Sequence, residues 1–291
     1  MSRIYDALRK AKQETRDKGG QASTDVVKSV EEAARRPLNR TEGVKLRVRR
    51  VTCRLRPEEH IVSIGKEPLV GSENYRVLRH RIQQIRQQRP LKKLLITSPL
   101  PKEGKTLSAI NAAITFSLLR SRVVLIDADL RNPTIHRVVG IRAMPGLTEY
   151  LEGGIELEDA LRYLEPLGVY YLPAGRSAPE SGELLQRPKL RELMDKLDEI
   201  FDWIVIDSAP VNLFADAPAL ATLVDGVLLV VRSGQTPSEA VQHCLEALAG
   251  SFVAGIMLNA HDESAGEQSY AYGYGYGYTD RSSGVKIAGK A

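Results

Sequence analysis

Six short apolar runs recur along the middle of the chain, and longer stretches with helical periodicity separate them. Continuous apolar strands that alternate with helices are typical of a mostly parallel sheet covered by helices on both faces. The pattern therefore predicts an α/β, doubly wound domain. The six predicted strands are Leu94–Thr97, Val123–Ile126, Val169–Leu172, Ile204–Ile206, Val227–Val231 and Val253–Leu258.

Both ends of the chain lack this alternation. Near the start, Ile4, Leu8 and Ala11 recur at helical spacing among charged residues, which is typical of an amphipathic helix. Periodicity is lost after His261, which favours a flexible, disordered tail. The predicted organisation is an N-terminal helix at 1–17, a linker and basic segment at 18–67, the main domain at 68–260 and the tail at 261–291.

The composition favours a folded protein of the cytoplasm. With 291 residues, 43% of them hydrophobic, the chain can fill a large core. Cys53 and Cys244 are too far apart for a disulfide framework or a paired metal site, which favours a reducing compartment. No apolar run approaches the roughly 18 residues that span a bilayer. We therefore expect a soluble chain.

The positive charge is concentrated ahead of the main domain. Nine basic residues and one acidic residue lie between Arg35 and Arg56, a local net charge of +8 in a chain of +5. Such a segment could contact anionic lipid, nucleic acid or an acidic partner. Alternatively, Val44, Leu46 and Val48 alternate with basic residues as on a half-buried strand with its charged face in water.

A phosphate-binding motif follows the first predicted strand. Residues 98–106 read SPLPKEGKT, and a predicted helix begins directly after them. In a P-loop, backbone amides and a helix N-terminus surround the phosphates, Lys105 contacts the β/γ-phosphates, and the Thr106 hydroxyl binds Mg²⁺. Because Pro99 replaces the first glycine of the usual pattern, the prediction depends on Gly104 to Thr106 and on the context. A chance Gly-Lys-Thr at a helix start is the alternative.

Three aspartates follow two other predicted strands. Asp127 and Asp129 come after the second strand, and Asp207 comes after the fourth. Carboxylates at the C-terminal ends of parallel strands face the crevice in which a doubly wound sheet binds its ligand. Together with the P-loop they predict a Mg²⁺ site with a spare base, although any one of them could instead cap a helix.

These motifs together resemble the bacterial tyrosine kinases of polysaccharide export, which are built on a P-loop NTPase scaffold. The resemblance spans about residues 69–278 and includes the DxDxR element ending at Arg131, the DxxP element ending at Pro210, and a tyrosine-rich C-terminus. It implies an ATP-dependent protein-tyrosine autokinase that uses Mg²⁺ and regulates exopolysaccharide polymerisation and export. The absence of HRDxxxxN and DFG sequences excludes the eukaryotic kinase fold.

The resemblance also assigns roles. Asp207 would order Mg²⁺ and its waters, Asp129 would complete the outer shell of the metal, and Asp127 would accept the tyrosine proton. The catalytic set is Lys105, Asp127, Asp129 and Asp207, and the metal set is Thr106, Asp129 and Asp207. ATP would be bound by Ser98, Pro101, Lys102, Glu103, Gly104, Lys105, Thr106, Leu107, Arg131 and, at the adenine, Asn259.

Lys102 departs from the family pattern, which has glycine at this position. We therefore expect the backbone of Lys102 to stay in a region open to a side chain.

The C-terminal tyrosines are the expected phosphate acceptors. They occupy alternate positions in a glycine-spaced tail, a composition that can also produce sticky disorder or a self-pairing strand. The acceptors are Tyr270, Tyr272, Tyr274, Tyr276 and Tyr278.

Assembly is implied by a second motif. Glu73, Arg76 and Arg79 match the ExxRxxR helix of the family, which implies a subunit contact in a ring. The alternative is an ordinary helix surface with charge pairs.

The resemblance is to the split form of the family. A separate transmembrane co-polymerase adaptor would then recruit the chain to the inner face of the plasma membrane, and a cognate tyrosine phosphatase would reverse the reaction. The start, Met1 to Leu8, looks like the leader of exopolysaccharide-associated autokinases.

Two alternatives belong to other functional classes. A partitioning or positioning ATPase of the same scaffold would carry an additional lysine where Leu100 stands, and it would lack the tyrosine tail. An inactive scaffold of the export machine would retain the fold without catalysis. We expect a kinase, with no nucleic-acid partner.

Overall fold

The computed structural model describes residues 48–55, 61 and 71–260 of the chain. The predicted N-terminal helix, most of the predicted linker and the tail with Tyr270 to Tyr278 lie outside the described residues.

The described residues form one eight-stranded sheet in the order β1-β4-β5-β3-β6-β2-β7-β8. The strands are β1 (Arg49–Thr52), β2 (Lys93–Thr97), β3 (Val123–Asp127), β4 (Arg162–Glu165), β5 (Val169–Leu172), β6 (Trp203–Asp207), β7 (Gly226–Arg232) and β8 (Val253–Asn259). All neighbours are parallel except β4 and β5. The predicted doubly wound α/β fold is confirmed, and all six predicted strands are present.

Nine helices connect the strands within these residues. They are α1 (Ser72–Gln88), α2 (Lys105–Ser117), α3 (Ile135–Val138), α4 (Leu147–Glu152), α5 (Leu157–Ala160), α6 (Ser181–Leu185), α7 (Pro188–Ile200), α8 (Asp216–Ala221) and α9 (Ser238–Ala247).

The sheet separates two apolar clusters, one on each face. On β3, Val124 and Ile126 belong to one cluster, whereas Val123 and Leu125 belong to the other. Alternate residues of a strand point to opposite faces, so a strand that is covered on both sides must be apolar throughout. This is why the central strands could be recognised as continuous apolar runs.

At one edge of the sheet, β4 was not predicted, and β1 was anticipated only by the alternative of a half-buried strand with its charged face in water. β1 pairs with β4 in parallel, and Arg50 forms a 2.6 Å ion pair with Glu165 across them. Val48 packs against the core while Arg49 and Arg50 stay exposed. The sheet therefore begins before residue 68, inside the segment predicted as linker. β1 is short and charged, because an edge strand is only partly covered. β4 lies between β1 and β5, and its Arg162 is buried.

Phe116 on α2 provides a test of this core. Its ring stacks on Trp203 at a centroid distance of 4.6 Å, and its side chain is 1% exposed. Phe116→Ala should lower the free energy of unfolding by about 3–5 kcal/mol, because the removed ring would leave a cavity that the surrounding side chains cannot fill. Leu118→Ala, at a position that is 47% exposed, should change it by less than about 0.5 kcal/mol. Equal losses in chemical denaturation would contradict this packing.

Candidate active site

The C-terminal ends of three neighbouring strands, β3, β6 and β2, lie side by side at one end of the sheet. The register places Asp127 directly beside Asp207, and Ile96 of β2 on the other side of Asp207. The loop that follows β2 therefore begins next to both aspartates.

This loop enters α2 through Gly104, whose φ is 92°. That left-handed conformation favours glycine. A Cβ atom at Gly104 would also lie 2.0 Å from the side-chain nitrogen of Asn259. The helix N-terminus thus forms where the sequence predicted a phosphate-binding turn. Any larger residue at position 104 would displace the side chain of Asn259 or the turn itself.

Glu103 anchors the loop from within. Its side chain is buried, and its carboxylate accepts hydrogen bonds from the backbone N–H of Leu100 at 3.1 Å and from the Thr236 hydroxyl. Thr236 lies beyond β7, far away in sequence.

Two more residues from the ends of β7 and β8 hold the loop backbone. Arg232 donates to the carbonyl of Lys102 at 3.2 Å, and the Asn259 side chain donates to the carbonyl of Glu103 at 2.8 Å. Asn259, predicted to contact adenine, therefore contacts the P-loop itself in this structure. Motif spacing contained no signal for Arg232 or Thr236.

Lys102 has a φ of 65°, in the left-handed region. The expectation that a side chain would keep this backbone out of the glycine-like conformation is wrong. The loop keeps that shape with a lysine in place, because Arg232 holds the carbonyl of Lys102 and the next residue, Glu103, is anchored by its own side chain. Left-handed backbone is uncommon for residues with a side chain and stores strain.

Lys105 is the central cation of the site. Its ammonium lies 2.8 Å from Asp129 Oδ2 and 3.8 Å from Asp207 Oδ1. Burial alone would lower the pKa of Lys105, but the charges of Asp207 and Asp129 outweigh it and raise the pKa above its usual value. Lys105 therefore stays charged at neutral pH.

Asp207 is inaccessible to solvent. Neither of its oxygens has a hydrogen-bond partner among the described residues. Burial raises the pKa of Asp207 to about 6, although the positive charge of Lys105 opposes the shift.

Asp127 is equally buried, and its Oδ2 accepts a 3.3 Å hydrogen bond from the backbone N–H of Ile135. Its Oδ1 has no hydrogen-bond partner in the described part of the chain. Burial, followed by the charges of Asp207 and Asp129, raises the pKa of Asp127 well above its usual value.

The donor set is suited to Mg²⁺ bound together with phosphate. Among the described residues, no three His, Cys, Asp or Glu side chains form a metal site by themselves. Mg²⁺ uses one or two carboxylates, waters and substrate phosphates. Asp207 has two oxygens that accept no hydrogen bond from the described residues, and it fits this role beside Thr106. Both oxygens of Asp129 are engaged, by Lys105 and by the N–H of Asn132, which fits an outer-shell role.

Comparison with known proteins places the chain in a family. No protein-family model matches the chain. The tyrosine-protein kinase YwqD of Bacillus subtilis is 32% identical over 215 residues, which cover 72% of this chain and 91% of YwqD. This chain belongs to the bacterial tyrosine kinase family. It is a protein-tyrosine kinase, so the family membership favours the expected kinase over the alternative of a partitioning ATPase.

Two further comparisons extend the similarity. The kinase domain of the Escherichia coli tyrosine kinase ETK superposes with a TM-score of 0.64 at 29% identity, covering 70% of this chain and 80% of that one. The succinoglycan biosynthesis transport protein ExoP of Rhizobium meliloti is 36% identical over 174 residues, which are 58% of this chain and 22% of ExoP.

Arg131 of this kinase does not extend freely towards the P-loop. Its guanidinium forms a bidentate pair with Asp216 at 2.9 and 3.1 Å and stacks over the Phe214 ring at 4.4 Å. Asp216 is fully buried. Arg131 therefore joins the loop after β3 to α8.

The remaining predicted loop residues lie around the P-loop. Ser98 is buried and its hydroxyl donates to the carbonyl of Leu100 at 2.7 Å. Pro101 is exposed and Leu107 is half-buried at the start of α2.

The motif on α1 lies apart from the P-loop. Arg76 pairs with Glu73 at 3.0 Å, and both are exposed. Arg79 instead donates to the carbonyl of Thr115 at 2.9 Å and thus joins α1 to α2.

None of the helices in the described residues is both long and apolar enough to cross a bilayer.

The strain at Lys102 can be measured. Lys102→Gly should raise the free energy of unfolding by about 1 kcal/mol, because glycine adopts a positive φ without a steric penalty. Arg120→Gly is the matched control, since Arg120 has a φ of 58° outside the site. Thermal unfolding should show both variants melting above the wild type, and a lower melting temperature for Lys102→Gly would contradict the strain.

Proposed function

We propose that this kinase transfers the γ-phosphoryl group of ATP to its own C-terminal tyrosines, with Mg²⁺, and thereby regulates exopolysaccharide polymerisation and export. The observation that supports this most strongly is Lys105 at the N-terminus of α2, between Asp129 and Asp207. A helix N-terminus, a fixed ammonium and strand-end carboxylates are the groups that phosphoryl transfer requires.

The positively charged and N–H groups of the site would bind the phosphates, and the oxygen-bearing side chains would bind the metal. ATP would supply the γ-phosphoryl group, whose bond to the β-phosphate oxygen would break to leave ADP, and Mg²⁺ bound with ATP would neutralise the charge that develops during the transfer. The backbone amides of the loop and Lys105 would hold the phosphates, and Thr106 and Asp207 would hold the metal. Transfer depends mainly on this positioning and on charge stabilisation.

Asp127 is the better candidate for the base. A general base needs a free lone pair and a pKa shifted towards neutrality. Asp127 Oδ1 has no partner among the described residues, and its pKa is raised by burial, whereas both oxygens of Asp129 are engaged. Asp127 would accept the proton of the tyrosine hydroxyl as the phosphate bond forms.

The family and the described surface support three proposed partners: a membrane adaptor, a tyrosine phosphatase and further copies of this chain in a ring. ExoP is a transport protein much longer than the region it shares with this chain, which supports a membrane adaptor that brings this kinase to the inner face of the plasma membrane. A tyrosine phosphatase would restore the unmodified tail. In a ring, Glu73 and Arg76 are the exposed pair available to a neighbouring subunit, with Arg79 supporting them from its bond to α2.

Lys105→Met tests the active site. Loss of this positioned cation should lower autophosphorylation on the order of a hundredfold or more, measured as phosphotyrosine formed with ATP and Mg²⁺. Lys196→Met changes an exposed lysine on α7 and should leave the rate unchanged. Full phosphotyrosine signal in Lys105→Met would exclude the proposed site.

A mixing experiment tests how the tail is reached. Each phosphotyrosine adds roughly −1.5 to −2 charges, so five would add roughly −8 to −10 and make a chain of +5 strongly negative. In a ring, each unmodified tail would reach the active site of a neighbouring subunit, and the modified tails would then repel one another. We therefore expect transfer between subunits followed by disassembly of the ring. A Lys105→Met chain with its tail should be labelled by an active chain that ends before Tyr270. If the inactive chain stays unlabelled, transfer occurs within one chain.

A further inference from the structure

Tyr171 lies deep in the fold beside the predicted base, and neither motif spacing nor the family resemblance assigned it a role. It belongs to β5 and is 0% exposed. In the register of β3 and β5, Tyr171 is opposite Leu125, two residues before Asp127. Residues two apart on a strand share a face, so Tyr171, Leu125 and Asp127 lie on the same side of the sheet.

The phenol and the carboxylate both have an unused hydrogen-bonding atom. The hydroxyl of Tyr171 and Oδ1 of Asp127 are buried and lack partners of good geometry among the described residues. Burial, and next the charge of Asp127, raise the pKa of Tyr171 well above its usual value, so its hydroxyl keeps its proton. The two residues share a face of the sheet, and the charge of Asp127 acts on the Tyr171 hydroxyl, so a buried donor lies near a buried acceptor. Leaving a buried polar group unpaired costs about 1–3 kcal/mol. Phenylalanine would fill nearly the same volume without this cost, so packing alone does not explain a tyrosine at position 171.

Other groups near the phenol are already engaged. Arg162 is opposite Tyr171 on β4, but its guanidinium donates to the carbonyls of Arg142 and Met144 at 2.9 and 2.7 Å. On the other side of Asp127, Oδ2 accepts a single hydrogen bond from the part of the chain that the structure describes, the 3.3 Å bond from the backbone N–H of Ile135. One long hydrogen bond leaves a carboxylate free to rotate about its terminal torsion, and a second donor on the other oxygen would fix its plane.

We propose that Tyr171 is a positioning residue for phosphoryl transfer: its hydroxyl donates to Asp127 Oδ1 and fixes the carboxylate that accepts the substrate proton. Each carboxylate oxygen has two lone pairs, so Oδ1 can accept from Tyr171 and still take up a proton. The inference rests on the proposed role of Asp127 as base.

A double-mutant cycle with Asp127→Asn tests the proposal. Tyr171→Phe should lower kcat for tyrosine phosphorylation about 5- to 10-fold, the equivalent of one hydrogen bond, and leave the affinity for ATP unchanged. In the Asp127→Asn background, whose residual transfer is followed with radiolabelled ATP, the same change should have no further effect, because the two residues act as a unit. Tyr170→Phe is the matched control. It removes the same hydroxyl from the adjacent residue of β5, on the opposite face, and should leave kcat unchanged.

The outcomes separate the inference from the function on which it rests. Full activity of Asp127→Asn would remove the base assignment itself. An inactive Asp127→Asn with a fully active Tyr171→Phe would overturn only the role of Tyr171. Equal losses from Tyr171→Phe in both backgrounds, or weakened ATP binding, would show a structural role and also overturn it. Thermal unfolding monitors the fold. If Tyr171→Phe does not fold, a fluorinated tyrosine at position 171 keeps a donor and should preserve kcat, and its failure to do so would contradict the proposal.

Discussion

A single buried ammonium faces three buried carboxylates, and this imbalance of charge governs the site. The register of β3 and β6 sets Asp127 beside Asp207 with neither accessible to solvent. Buried charges are costly unless an opposite charge lies nearby. Lys105 supplies one positive charge, so a proton or a further cation would lower the free energy of the site. Burial is the main reason that the pKa of Asp127 and of Asp207 is raised, and the neighbouring carboxylates add to it. An affinity for Mg²⁺ would be a further expression of the charge imbalance.

The rest of the domain serves to hold these charges in place. Helices on both faces of the sheet fix the strand ends, and residues from distant parts of the chain fix the loops between them. Thr236 and Asn259 hold the P-loop, whereas Asp216 holds Arg131. Because these contacts join distant elements, they hold the phosphate-binding turn in a fixed shape. Such preorganisation is the usual source of electrostatic catalysis.

The central strands and the phosphate-binding turn could be predicted because each follows from local sequence. A strand buried on both faces must be apolar throughout, and a turn into a helix N-terminus needs Gly104. β1 and β4 carry too many charges to be recognised in this way. Thr236, Arg232 and Tyr171 could not be found either, since their importance comes from contacts with residues far away in sequence. The expected backbone conformation of Lys102 was wrong for the same reason, because contacts with residues far away in sequence, such as Arg232, determine the φ angle of Lys102.

The central claim is that this P-loop site phosphorylates the tyrosines of its own tail. Mass spectrometry of the purified full chain, after incubation with ATP and Mg²⁺, tests it most directly by locating each added phosphate. The account predicts phosphate on tyrosines among Tyr270, Tyr272, Tyr274, Tyr276 and Tyr278. An unmodified chain, or phosphate found only outside this cluster, would contradict it.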